Sequence, residues 1–214
     1  DTNSTLAGAI AACKLHIPVA HVEAGLRSYN MRMPEEVNRI LADRVSNLLL
    51  CPTESAVKNL REEGVVNNVH LVGDVMYDAT LLYSEQAKSS IPLTKWGLED
   101  GQYALCTIHR AENTDDSERL ESILRAFRKI ASDIPVVLPL HPRTRLLLDK
   151  MGASSWLDGI TVLEPVSYTE MLRLEMSAKV IFTDSGGVQK EAYFNHVPCI
   201  TLRDETEWIE TVEL

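Results

Sequence analysis

Short apolar runs rich in Val, Ile, Leu and Ala recur along the chain at 18–23, 47–52, 68–73, 103–109, 135–141, 160–165, 179–184 and 198–202, each of strand length. Several hold almost no polar position, as expected of strands covered on both faces in a parallel sheet. Segments with helical spacing of apolar residues lie between them, at 3–15, 34–46, 53–64, 74–88, 115–131, 142–150, 167–176 and 186–196. This alternation predicts an α/β fold made of βα units. One loose polar stretch, Ser89-Ser90-Ile91-Pro92-Leu93-Thr94 through Gly97, Asp100 and Gly101, interrupts the rhythm. The expected organisation is therefore two Rossmann-like lobes, 1–88 and 89–214, with a cleft between them.

Composition narrows the partners. The 214 residues are 45% hydrophobic, ample for a packed core, and the 21 basic against 31 acidic side chains give a formal charge of −10. With no basic run, nucleic acid and anionic membrane are excluded as main partners, and an anionic ligand would need local donors. No apolar run approaches the roughly 20 residues of a membrane span. Cys13, Cys51, Cys106 and Cys199 stand singly in apolar stretches, which predicts buried thiols in a reducing, cytoplasmic compartment. No His, Cys, Asp or Glu cluster has metal-ligand spacing, so neither metal nor cofactor is expected. Asp1 opens directly into a helical pattern and Leu214 follows no closing element, so the chain reads as an interior fragment of something longer.

Chemistry concentrates in a few strings. In H-V-E-A-G-L-R at 21–27, Glu23 falls at the carboxyl end of a strand, the edge where open parallel sheets bind ligands. Pro34-Glu35-Glu36 opens the next helix with acids where the macrodipole favours them, and the two places can face one crevice. A lone Glu at a strand end is more often a solvated loop residue, so the case depends on what else converges there. Thr183-Asp184-Ser185-Gly186-Gly187 joins a strand to a helix, so Ser185, Gly186 and Gly187 outline a phosphate cradle or, equally, a capped βα turn. Glu191, one turn on, is placed to accept ribose hydroxyls or to be an ordinary exposed helix residue. His109 ends another strand, where an imidazole could donate to a phosphate, shuttle a proton or cap a neighbour. Arg110 can meet an anion or Glu112, and His141 ends its strand as His109 does. Asp1 joins the group if a strand precedes it, and otherwise caps the first helix. Arg203 through Trp208 reads as a substrate loop or as surface.

In order and spacing these strings resemble the non-hydrolysing UDP-N-acetylglucosamine 2-epimerases, which interconvert UDP-GlcNAc and UDP-ManNAc on a two-lobed, glycosyltransferase-B-like fold. The resemblance rests on Asp1-Thr2 as the end of G-D-T, H-V-E-A-G-L-R, P-E-E at 34–36, H-R-x-E at 109–112, T-D-S-G-G-x-Q-x-E at 183–191 and R-D-x-T-E at 203–207. It implies that Asp1, Glu23 and Glu35 are the catalytic acids and His109 the essential histidine. It further implies that Ser185, Gly186 and Gly187 hold the diphosphate, that Glu191 holds the ribose, and that Arg110 and His141 contribute to substrate binding. The implied reaction eliminates UDP to a 2-acetamidoglucal and adds it back after reprotonation at C2, supplying precursors for cell-surface polysaccharide. A homodimer with a UDP-sugar as substrate is implied as well. The family's N-terminal G-x-R-P-E has no counterpart here, and the commoner E-R-P-E reads Glu207-Trp208-Ile209-Glu210. Alternatives are a 2-epimerase of a UDP-diacetamido uronic acid, a UDP-sugar-dependent glycosyltransferase of the same fold, and a non-catalytic nucleotide-binding module.

Overall fold

The computed structural model describes residues 2–203. All eight expected strands form, and every pairing among them is parallel. By contacts the chain divides between Asp78 and Ala79, inside one helix, into two compact units.

In the first unit, β1 (Ala20–Val22), β2 (Leu48–Cys51) and β3 (Val69–Leu71) lie side by side in chain order. Around them run α1 (Asn3–Lys14), α2 (Pro34–Val45) and α3 (Glu54–Glu62), with α4 (Val75–Ser90) following. Thr2 caps α1 through its side chain and Thr53 caps α3 in the same way, each taking one of the N–H groups that a helix start leaves without an intrahelical acceptor. Leu26, Leu49, Cys51, Ala56 and Leu60 form this unit's core. Cys13 departs from the expectation of buried thiols: it is exposed on α1, whose only buried residue is Ala9.

The second unit holds a five-stranded sheet in the order β6-β5-β4-β7-β8: β4 (Ala104–Thr107), β5 (Val136–Pro139), β6 (Thr161–Leu163), β7 (Val180–Thr183) and β8 (Cys199–Thr201). The apolar runs of its central strands are explained by their two faces. Ala104, Cys106, Val136 and Leu138 enter one buried cluster, whereas Leu105, Val137 and Ile181 enter the other. The first cluster is closed by Leu120, Leu124 and Phe127, spaced i, i+4, i+7 on α6 (Ser117–Ile130), which Asp116 caps with bonds from the N–H groups of Glu118 and Arg119. Each such Leu, fully buried, contributes about 1.5–3 kcal/mol. The stretch 89–101 is less loose than its composition indicates. It contains a 3-10 turn, Leu93–Trp96, and Leu93 and Leu98 pack into the second cluster.

Three more helices complete this unit: α7 (Pro142–Met151), α8 (Tyr168–Met176) and α9 (Gly186–Phe194). A further turn of helix, α5 (Ala111–Thr114), directly follows the H-R pair and was not signalled by periodicity, being too short to show one. No helix among the described residues is long and apolar enough to cross a membrane.

Candidate active site

The first unit's candidate carboxylates are positioned by a buried polar framework. After β1 the backbone turns at Glu23 with φ +70, a left-handed conformation unusual for a residue with a Cβ. The two residues that follow it are tied down. Ala24 N–H donates to Leu50 O at 3.0 Å, Gly25 N–H to Asp43 Oδ2 at 3.2 Å, and Asn59 Nδ2 donates to Gly25 O at 3.0 Å. Fixed neighbours are what let such backbone strain persist. Glu23 is thus presented, half-buried, at the carboxyl end of its strand.

Gly25 completes the turn at φ +82, where a Cβ would come within 2.4 Å of Ala56 O. Both conformation and space demand glycine there. Gly25→Ala is expected to destabilise the protein by about 1–3 kcal/mol, read as a lower thermal midpoint. An unchanged midpoint would mean that the turn yields easily and does not fix Glu23.

The other polar residues of the H-V-E-A-G-L-R to P-E-E stretch hold this framework together. His21 Nδ1 donates to Asp43 Oδ1 at 2.6 Å, and Arg27 Nη1 to Asp43 Oδ2 at 2.8 Å. Arg27 also grips Glu63 with Nε and Nη2, at 2.6 and 2.9 Å. Burial alone would lower the Arg27 pKa, but Glu63 and Asp43 more than reverse this and hold the guanidinium charged. Glu36 is fully buried and accepts from Ser28 N–H, Ser28 Oγ–H and Tyr29 N–H at 2.9, 3.0 and 2.9 Å. Of the pair opening α2, Glu36 is therefore a strut, and Glu35, partly exposed, is the carboxylate with access to solvent. Asp1 lies outside the described residues.

In the second unit the chain enters the sheet at β4, continues to one side through β5 and β6, and crosses to β7 on the other. The switch point of the sheet is therefore between β4 and β7, the place where doubly wound sheets bind ligands beyond their carboxyl ends. Register sets Thr107 beside Thr183, and their hydroxyls bond at 2.5 Å. One residue on, Asp184 is fully buried and accepts from the N–H groups of His109 (3.0 Å) and Arg110 (2.9 Å) and from Asn113 Nδ2 (3.0 Å). His109 Nδ1 stands 3.3 Å from its Oδ1. The aspartate fixes both the backbone and the ring of His109, a function the sequence alone did not disclose. Burial lowers the His109 pKa, His141 and Arg110 push the same way, and Asp184 opposes them, so the imidazole is neutral at neutral pH.

His109, His141, Ser185 and Val188 line one cleft of about 230 Å³, with apolar walls from Ile108, Val166 and Met171. The two imidazoles are 5.9 Å apart between ring centroids. His141 is the N-cap of α7, its Nδ1 accepting from Arg143 N–H. Ser185 caps α9, its Oγ accepting from Val188 N–H at 3.4 Å, which leaves the N–H groups of Gly186 and Gly187 without intrahelical acceptors. A helix start of this kind offers donors and positive potential to an anion. Arg110 and Glu191 are not in the cleft lining. Arg110 is the N-cap of α5, and Glu191 is only 5% exposed, not the surface residue that helix position alone suggests. Arg203 Nε lies 3.7 Å from Glu112 Oε1, and the rest of the R-D-x-T-E and E-W-I-E strings falls outside the described residues.

Comparison with known proteins places these features in context. The sequence profile of the UDP-N-acetylglucosamine 2-epimerase family matches residues 1–214. The chain is 53% identical, over 99% of its own length and 59% of the relative's, to UDP-2,3-diacetamido-2,3-dideoxy-D-glucuronate 2-epimerase of Pseudomonas aeruginosa. It is 46% identical to the UDP-N-acetylglucosamine 2-epimerase of Methanocaldococcus jannaschii, over all of its length and 61% of the relative's. The crystal structure of that enzyme in complex with UDP-GlcNAc and UDP superposes with a TM-score of 0.93, covering 100% of this chain and 61% of the other. The Neisseria meningitidis UDP-GlcNAc 2-epimerase bound to UDP-GlcNAc gives 0.89 at 32% identity, with 100% and 60% covered. The chain spans about three fifths of the length of the curated relatives it matches.

Proposed function

The chain belongs to the UDP-N-acetylglucosamine 2-epimerase family, and from that premise we propose that the full-length protein inverts C2 of UDP-N-acetylglucosamine to give UDP-N-acetylmannosamine. The observation that carries this reading is the β4/β7 switch point, where an oriented, neutral His109 shares a cleft with the capped start of α9. The diphosphate is assigned to Ser185, Gly186 and Gly187, the ribose to Glu191, and further substrate contacts to Arg110 and His141. Asp1, Glu23, Glu35 and His109 are the acid–base groups. Inversion needs more than one of them, because the proton is removed from one face of C2 and returned to the other. In the forward step the C2–H and C1–O bonds break, C1=C2 forms, and UDP departs with the electron pair of the C1–O bond. Donors at the α9 start stabilise the charge that grows on the departing diphosphate. Re-addition reverses the sequence after C2 is reprotonated.

A second substrate reading follows from the 53% relative: a UDP-2,3-diacetamido uronic acid, on which the same C2 chemistry runs unchanged. We assign the protein to two lobes at 1–88 and 89–214, to the cytoplasm, to a homodimer and to the supply of polysaccharide precursors. The test is proton NMR of the full-length protein in D2O with each UDP-sugar. Epimerised product carrying deuterium at C2 is expected. Failure of both sugars to exchange or epimerise would overturn the assignment, and the faster substrate of the two identifies the native one.

A further inference from the structure

Glu191 has a buried companion that the proposed function does not use. Glu175, on α8, is fully buried, and no donor among the described residues reaches either of its carboxylate oxygens. Its acidic neighbour is Glu191, whose Oε1 is likewise buried and unpartnered, and the Tyr168 side chain lies beside the Glu191 carboxylate. The groups facing Glu175 are Glu191 from α9, Tyr103 beside β4, Tyr168 at the start of α8 and Cys199 from β8. Lys190 bears on Glu191. None of those facing Glu175 is a cation. Two ionised carboxylates side by side in such a site would repel with little screening, and each would lack its water. One proton resolves both problems: carried by Glu175, it turns two acceptors into a donor–acceptor pair.

We infer that Glu175 is a positioning residue for Glu191, holding a proton and donating it to the Glu191 carboxylate so that this group stays ionised and aimed to accept nucleotide hydroxyls. The inference rests on the reading of Glu191 as the ribose acceptor. Burial pushes the Glu175 carboxyl well above the ordinary range, with the Glu191 charge adding to the effect, and burial raises Glu191 too. A proton held more tightly folded than unfolded gives stability that is complete below the unfolded pKa and is lost as pH rises through the folded value.

The experiment uses UDP titrations and thermal melting of the full-length protein from pH 5 to 9, comparing wild type with Glu175→Gln, Glu175→Leu and Glu191→Gln. Glu175→Gln keeps a donor but cannot ionise. It is expected to bind UDP within about threefold of wild type and to lose the decline in affinity and melting temperature with rising pH. Glu175→Leu, apolar and of similar size, is expected to melt normally yet bind UDP about tenfold more weakly at pH 7. Wild-type affinity and pH profiles in both Glu175 variants would overturn the inference. If Glu191→Gln binds UDP as wild type does, the ribose assignment is what fails. The melting profile of Glu175→Gln then decides the shared proton alone: a flattened profile supports it, and an unaltered one overturns it.

Discussion

Replacing His109 with alanine is expected to slow deuterium incorporation at C2 by about 10²–10⁴-fold, the range lost when a positioned acid–base group is removed. The ring is half-buried and lines the cleft, and its Nδ1 stands 3.3 Å from Asp184 Oδ1, which leaves Nε2 as the nitrogen for the proposed chemistry. Because burial lowers its pKa, the imidazole is neutral at pH 7 and ready to accept a proton. Its acid-side loss of activity should therefore fall below the ordinary histidine value of about 6.5, since protonation of a depressed group needs a lower pH. UDP affinity should change by no more than about threefold in His109→Ala, because the diphosphate is assigned to the α9 start. Single-turnover exchange and a UDP titration separate these effects. Exchange at the wild-type rate would remove His109 from the chemistry.

Asp43→Ala should be the most damaging change to the first unit, at about 3–5 kcal/mol, the cost of breaking a buried ion pair by removing one partner. Asp43 is 2% exposed and collects three donors: the His21 ring, the Gly25 N–H and the Arg27 guanidinium. Arg27 would keep Glu63 and the Leu26 carbonyl, but the His21 and Gly25 donors would be stranded in the interior. Asp43→Asn retains an acceptor oxygen and should lose less. Hydrogen exchange of the β2 amides of Leu48–Cys51 measures the change directly, since these central amides open only with the unit. A loss under about 1 kcal/mol would mean that the framework is not what fixes the turn at Glu23.

The elements were readable because each signal was local. A run such as Tyr103 to Cys106 is apolar throughout, and both sheet faces need it to be. The cap at Ser185 was legible because the N–H it accepts from lies only three residues on. Roles that depend on remote partners were hidden. His21 and Arg27 sit inside the richest motif, yet they bond to Asp43, 22 and 16 residues away. Nothing along the chain distinguishes Glu35 from Glu36; only the fold buries the second under the 28–29 loop. Asp184 was visible as one letter of T-D-S-G-G, but its function appears only when β4/β7 register brings it against His109, 75 residues earlier in the chain. The Glu175 and Glu191 pairing joins two helices, and the sequence offered no sign that either side chain is buried.

The left-handed backbone at Glu23 bears on how this protein can be improved. Glycine and asparagine are the residues most at ease in that conformation, and a screen for heat tolerance would favour them at position 23. Neither carries a carboxylate. With Glu23 as one of the proposed acid–base groups, selection for robustness and selection for turnover pull this position in opposite directions, and a library sorted only by melting temperature is expected to be enriched in folded, inert protein.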